Sequence, residues 1–139
     1  MTRRGVAALA VLALAAPVAA DQAASKPKKP RLEMRFTPRM GLSPVTVHFT
    51  VELVGGDDQE QWYCPEIEWD WDDGGRSVHE ADCPPFTADT KIERRYTADH
   101  DYTRAGNFQP KVVLRHNSQT VATVSAHLMI RPGVSEEPQ

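Results

Sequence analysis

The sequence predicts an all-β, antiparallel β-sandwich, and three observations carry that prediction. Apolar residues recur with a period of two in several short runs. Those runs are rich in β-branched and aromatic residues. Gly, Pro, Asn and Asp cluster between them. No run keeps a helical period long enough to build a helix, and several short half-buried strands in one small chain bury their apolar faces best as two sheets packed together.

Before the first strand, Arg3 and Arg4 precede an apolar run from Val6 to Ala16, then Pro17 and Val18-Ala19-Ala20. A basic start, a short apolar segment and small residues before a cut are the pattern of a secretory signal peptide, so residues 1–20 are expected to be removed. The apolar run is shorter than the ~20 residues that cross a bilayer, which argues against an uncleaved anchor and against an integral membrane protein. Thr2-Arg3-Arg4 resembles a twin-arginine start, and no Cys follows the cut to carry a lipid. The expected product is exported, periplasmic or secreted. Residues 21–30, mostly Ala, Ser, Lys and Pro after Asp21 and Gln22, read as a flexible linker, and residues 132–139, polar with two prolines, read as a disordered tail. The folded domain is then 31–131.

Within it, Leu32, Met34 and Phe36 alternate with charged neighbours. After a turn signal at Gly41-Leu42-Ser43-Pro44, Val45, Val47, Phe49, Val51 and Leu53 alternate with Thr46, His48, Thr50 and Glu52, and Gly55-Gly56-Asp57-Asp58 ends that run. Ile67, Trp69 and Trp71 alternate with Glu66, Glu68 and Asp70. Phe108, Val112 and Leu114 share one face. Ala122, Val124, Ala126, Leu128 and Ile130 share another, facing away from Thr123, Ser125 and His127. The piece from Arg76 to Ile92 reads as an enlarged connection.

Charge and cysteine content narrow the partners. Loss of residues 1–20 removes two arginines and no acids, so the formal charge moves from -3 to -5. A mildly acidic domain has no general attraction for nucleic acid or anionic membranes. The basic cluster Lys26, Lys28, Lys29 and Arg31 lies among prolines and reads as solvated linker. Two cysteines, Cys64 and Cys83, predict one disulfide in an exported protein, two buried thiols being the alternative.

The stretch Glu68-Trp69-Asp70-Trp71-Asp72-Asp73-Gly74-Gly75 raises the choice between an acidic site and a strand running into a turn. Alternation sends Ile67, Trp69 and Trp71 to one face and Glu66, Glu68 and Asp70 to the other. Tryptophans are costly to leave in water, so they face the core. Asp-Asp-Gly-Gly then makes the turn, Gly supplying positive φ and Asp accepting backbone N–H bonds.

Trp69-Asp70-Trp71-Asp72-Asp73-Gly74 resembles the W-D-F-G-D-G signature of PKD (polycystic kidney disease) domains. Gly41-Leu42-Ser43-Pro44-Val45-Thr46-Val47-His48-Phe49 resembles that family's opening G-x-x-P-x-x-V-x-F. His100-Asp101-Tyr102-Thr103-Arg104-Ala105-Gly106-Asn107-Phe108 resembles its closing H-x-Y-x-x-x-G-x-Y, with Phe for the last Tyr. The resemblance runs from about Glu33 to Ile130 and implies an Ig-like β-sandwich. It implies that Trp69 and Trp71 sit in or against the core, that Asp73 and Gly74 shape the following turn, and that Tyr102 and Gly106 organise the approach to the penultimate strand, Gly106 as a tight-turn residue. It gives His100 a structural hydrogen bond. Asp72 departs from the family by replacing Gly, a poorer residue wherever φ is positive. The Cys-Pro pairs at Cys64 and Cys83 also depart from it, and the disulfide reads as a clamp from the enlarged connection back to the tryptophan strand.

Five chemistries are weighed for these residues. Asp70, Asp72 and Asp73, with Asp57, Asp58, Asp99 and Asp101, are candidate oxygen ligands for calcium, which some PKD domains bind, but no EF-hand spacing is present and no cofactor is expected. The histidines His48, His79, His100, His116 and His127 are too dispersed for a transition-metal cluster. Glu66, Glu68 and Asp70 have the residue types of a glycosidase pair but lie on an open face, and Gly75-Arg76-Ser77-Val78-His79 lacks the nucleophile-elbow pattern. Trp62 and Tyr63 before Cys64, with Phe86 beyond Cys83, are candidates for an aromatic ledge suited to a sugar ring or a protein. In the resembled family such domains commonly serve as spacers or adhesive modules. The expectation is therefore a non-catalytic exported domain that binds a protein or glycan partner, with a calcium-stabilised structural module and a small secreted hydrolase as the alternatives.

Overall fold

The computed structural model describes residues 25–134, so the expected signal peptide, the first part of the linker and most of the tail lie outside the described residues. Its strands are β1 (Arg31–Thr37), β2 (Met40–Leu42), β3 (Val45–Val54), β4 (Glu66–Asp70), β5 (Arg76–His79), β6 (Arg95–Tyr102), β7 (Gly106–Phe108), β8 (Lys111–His116), β9 (Gln119–Ser125) and β10 (Leu128–Arg131), with a 3₁₀ turn at Glu60–Trp62. Three sheets result, ordered β1-β3-β6, β5-β4-β8-β9 and β2-β10-β7. All pairings are antiparallel except β2 with β10. The fold is an all-β sandwich with one disulfide.

The alternation in the sequence sets which faces meet. From β3, Val47, Phe49, Val51 and Leu53 point inward, and from the facing sheet Ile67, Trp69, Val112 and Leu114 do; all are buried. The Phe49 ring lies 6.2 Å from Trp69 and 5.2 Å from Trp71, joining the two layers. Burying a ring of that size stabilises the fold by about 1.5–3 kcal/mol.

Two sets of residues that share a face are each divided between two strands. Pro110 has no N–H to donate, so the ladder cannot pass through it, and β7 ends before it while β8 begins after it. Opposite, the face from Ala122 to Ile130 is interrupted at Ala126–His127, where the Ala126 N–H donates to the Pro110 carbonyl at 3.2 Å. β9 and β10 therefore keep the predicted parity but belong to different sheets. The turn expected at 41–44 is partly strand, because β2 pairs in parallel with β10 before the chain bends.

The linker reading also needs correction near its end. The Lys28 N–H donates to Asp57 Oδ2 at 2.9 Å, the Asp57 N–H donates back to the Lys28 carbonyl at 3.1 Å, and Pro30 is buried. The chain is thus pinned from Lys28 onward, ahead of β1. Among the described residues no helix is long and apolar enough to cross a membrane.

Candidate functional site: the disulfide clamp and the cleft between edge strands

Cys64 and Cys83 form a disulfide with their Cα atoms 6.2 Å apart. Cys64 directly precedes β4, and Cys83 lies in the connection from β5 to β6, so the bond holds that connection against the tryptophan strand, as the clamp reading expects. The first four residues of the expected connection are β5, and they pair with Ile67 to Asp70. A disulfide of this kind fits an oxidising compartment.

The clamp carries two of the three candidate ledge residues. The Tyr63 hydroxyl donates to the Pro84 carbonyl at 2.8 Å, and its ring packs 5.5 Å from that of Phe86. Both rings are half-buried. Trp62 is different: it is only 3% exposed and belongs to the core, with its Nε1 lacking a partner. The ledge therefore consists of Tyr63 and Phe86, and Trp62 is part of the core instead. Trp62 closes the 3₁₀ turn at Glu60–Trp62, and it is the buried residue of that turn.

Tyr63 and the disulfide stand between two hollows. One, of about 570 Å³, opens between β5 and β6 and is lined by Ile67, Trp69, Ser77, His79, Tyr96 and Ala98 among others. The other, of about 400 Å³, lies on the far side of the clamp against Glu60, Glu80, Asp82 and Phe86. Tyr63, Cys64, Ala81 and Cys83 line both. Tyr96 keeps its proton: burial and the Glu93 charge both raise its pKa. Its hydroxyl donates to the Glu93 carbonyl at 2.8 Å.

The cleft was only partly legible in the sequence. Tyr96, Ala98, His100 and Tyr102 alternate with Arg95, Thr97, Asp99 and Asp101, a strand signal as clear as those of β3 and β4, yet β6 was absent from the predicted strands. Glu80 and Asp82 stand at the hollow because the disulfide folds the connection back, which no local pattern encodes.

The residues of the three motifs come together at the opposite end of the sandwich. Trp71 stacks on Trp69 at 5.1 Å and on the His100 ring at 4.4 Å with the planes nearly parallel. His100 Nε2 lies 2.7 Å from Asp73 Oδ2, and Asp73 Oδ1 accepts the Gly75 N–H at 2.9 Å. Burial pushes the Asp73 carboxyl up, but the His100 ring and the Gly75 N–H outweigh it and hold the pKa below the ordinary carboxylate range. The buried Tyr102 hydroxyl donates to the Trp71 carbonyl at 3.0 Å. Burial, then the charges of Asp73, Asp72 and Asp70, raise its pKa, so it remains a donor. Gly74 has φ 96, as a turn glycine should. Gly106 is needed for another reason than the one expected: it opens β7 without positive φ, and a Cβ there would lie 3.1 Å from the Phe108 ring. Asp72 does adopt positive φ, 60, the backbone conformation that favours Gly.

The carboxylates considered for calcium are already committed. Asp70 Oδ1 accepts the Asp72 N–H at 3.1 Å, and Asp72 Oδ2 accepts the Gln109 N–H at 2.8 Å. Asp58 is bonded to Arg94, Asp99 to His48 and Asp101 to Thr46. Among the described residues no three such groups converge where a metal ion could be held. On the outer face of β4, Glu68 lies between Arg115 at 2.8 Å and Arg76 at 3.3 Å, and Asp70 pairs with Arg76 at 3.1 Å. These acids form a surface ion network. Ser77 Oγ accepts the Trp71 Nε1–H at 3.0 Å.

No family model matches the chain, and no curated protein is similar to it at a significant level.

Proposed function

We propose that this chain is a non-catalytic, exported PKD-like module that binds a protein or glycan partner at the cell envelope or outside the cell. One observation carries the reading: the disulfide clamp holds two half-exposed, contacting aromatic rings, Tyr63 and Phe86, between two concave surfaces. An aromatic pair of this kind offers rigid apolar area at small entropic cost to a partner. The PKD-like part is supported by the arrangement of Trp71, Asp73, Gly74, His100 and Tyr102, whose contacts build a turn and a core and leave none of them free for chemistry. The non-catalytic part is supported by the fate of Glu68, Asp70 and Asp72, which are engaged by arginines and backbone N–H groups. A fold of this kind does not fix a function, so the reading stands on the clamp.

The test is capture from envelope extract on the oxidised protein, with the Tyr63→Ala/Phe86→Ala double variant alongside. A protein or glycan held by the wild type and lost by a folded double variant is the expected result. Equal retention by both overturns the placement of the site, and retention by neither overturns binding.

A further inference from the structure

The binding reading leaves the class of partner open, and the sheet edges narrow it; the inference made here rests on that reading. Among the described residues β5 pairs only with β4, and β6 only with β3. Each leaves one edge of backbone N–H and C=O groups without a ladder partner, a template for another strand. All four residues of β5 are exposed, and the cleft between β5 and β6 is floored by Ile67, Trp69, Tyr96 and Ala98. Trp69 and Tyr96 are only 4% and 5% exposed, so the floor offers no open ring face on which a sugar would stack.

Charge selects further. On the cleft rim Arg95 pairs with Glu52, while Lys91 and Arg94 share Asp58 and the exposed Glu93 carboxylate lies on the same rim, so no net charge stands there. At the clamp end, Arg115 is committed to Glu66 and Glu68. Glu60, Glu80 and Asp82 of the adjoining hollow are exposed or at its lip and form no ion pair among the described residues. The unneutralised charge where β5 runs into the clamp is therefore negative.

We propose that the cleft takes an extended segment of a partner polypeptide, added as a strand along β5, with a Lys or Arg set over Glu80 and Asp82. In an added strand alternate side chains point to opposite faces, so apolar residues at every second position enter the cleft while the backbone pairs with β5. The cation at the clamp end meets two carboxylates and the Tyr63–Phe86 rings, which favour a cation by charge and by their π faces.

The test is selection of a phage-displayed random dodecapeptide library on the oxidised protein, followed by affinity measurement on synthetic copies of the selected peptides. Two variants accompany it: Ala81→Trp, an exposed position where a large side chain obstructs both hollows, and Glu80→Lys/Asp82→Lys. Expected are peptides with alternating apolar residues and a Lys or Arg near one end, about tenfold weaker on the charge-reversed variant and lost on Ala81→Trp. N-methylation of alternate peptide amides abolishes binding if the backbone pairs. Selected peptides without a cation, or insensitive to N-methylation, overturn the inference. Self-association of the chain that competes with the peptides and disappears in Ala81→Trp overturns it in favour of a second copy as occupant. Peptides or glycans that need Tyr63 and Phe86 but ignore Ala81→Trp overturn strand addition and leave the clamp-binding reading standing. Absence of any selected binder, together with failure of the extract capture, overturns both.

Discussion

Replacing Asp73 by Asn removes a charge while keeping the shape of the side chain, and it isolates what holds the turn after β4. Asn retains an acceptor for the Gly75 N–H. What it loses is the charge-assisted bond to His100, a contact of 2.7 Å between side chains each about 20% exposed. A hydrogen bond to a charged group contributes about 1.5–3 kcal/mol, whereas exposed pairs contribute about 0–1. Partial exposure places this one between them, so Asp73→Asn should cost about 1–2 kcal/mol at neutral pH. For a domain of this size that is a fall in Tm of roughly 4–15 °C. The carboxyl's folded pKa lies below its unfolded value. Its contribution is therefore full above the unfolded value of about 3.9 and is lost as pH falls through the folded one. Urea unfolding at pH 7 and at a series of pH values below 4 gives the difference between the two proteins. It should be largest at pH 7 and shrink on acidification. A variant as stable as the wild type at pH 7, or a gap that does not narrow in acid, refutes the reasoning.

Other consequences follow from the same geometry. Tyr102→Phe leaves the Trp71 carbonyl without its donor in a buried site and should cost about 1–3 kcal/mol by urea unfolding. Gly106→Ala should destabilise the fold through contact with the Phe108 ring, and Phe108→Leu in the same chain should recover part of the loss. Asp72→Gly should be nearly neutral, because relief of positive φ offsets the lost bond to the Gln109 N–H, whereas Asp72→Ala loses both and should be the less stable of the two by about 1–2 kcal/mol. Millimolar calcium should leave Tm unchanged, since the acids that would ligate it already have partners; a rise reversed by chelator would contradict that assignment.

The strands legible in the sequence were those whose two faces differ sharply. β3 and β4 alternate apolar with polar residues from end to end, and their inward faces were read correctly. β5 was not visible, because all four of its residues are exposed and no alternation separates its faces. The division of Ala122 to Ile130 between two strands was hidden because parity survives the break at Ala126–His127. Trp62 is the buried residue of a 3₁₀ turn, and in sequence a buried tryptophan and a ledge tryptophan look alike two residues before a cysteine. The clamp itself was legible from two cysteines and their spacing, but the cleft beside it arises from two sheet edges that are far apart in sequence.

Binding of the proposed partner at the clamp and the β5–β6 cleft would leave a footprint on the backbone amides. Amide hydrogen exchange on the protein with and without its captured partner measures this directly. Expected is added protection confined to Tyr63 and Cys64, to β5 and the clamp up to Phe86, and to the first half of β6. Protection instead on the outer face of β1 and β3, or none in the β5 segment, would contradict that placement.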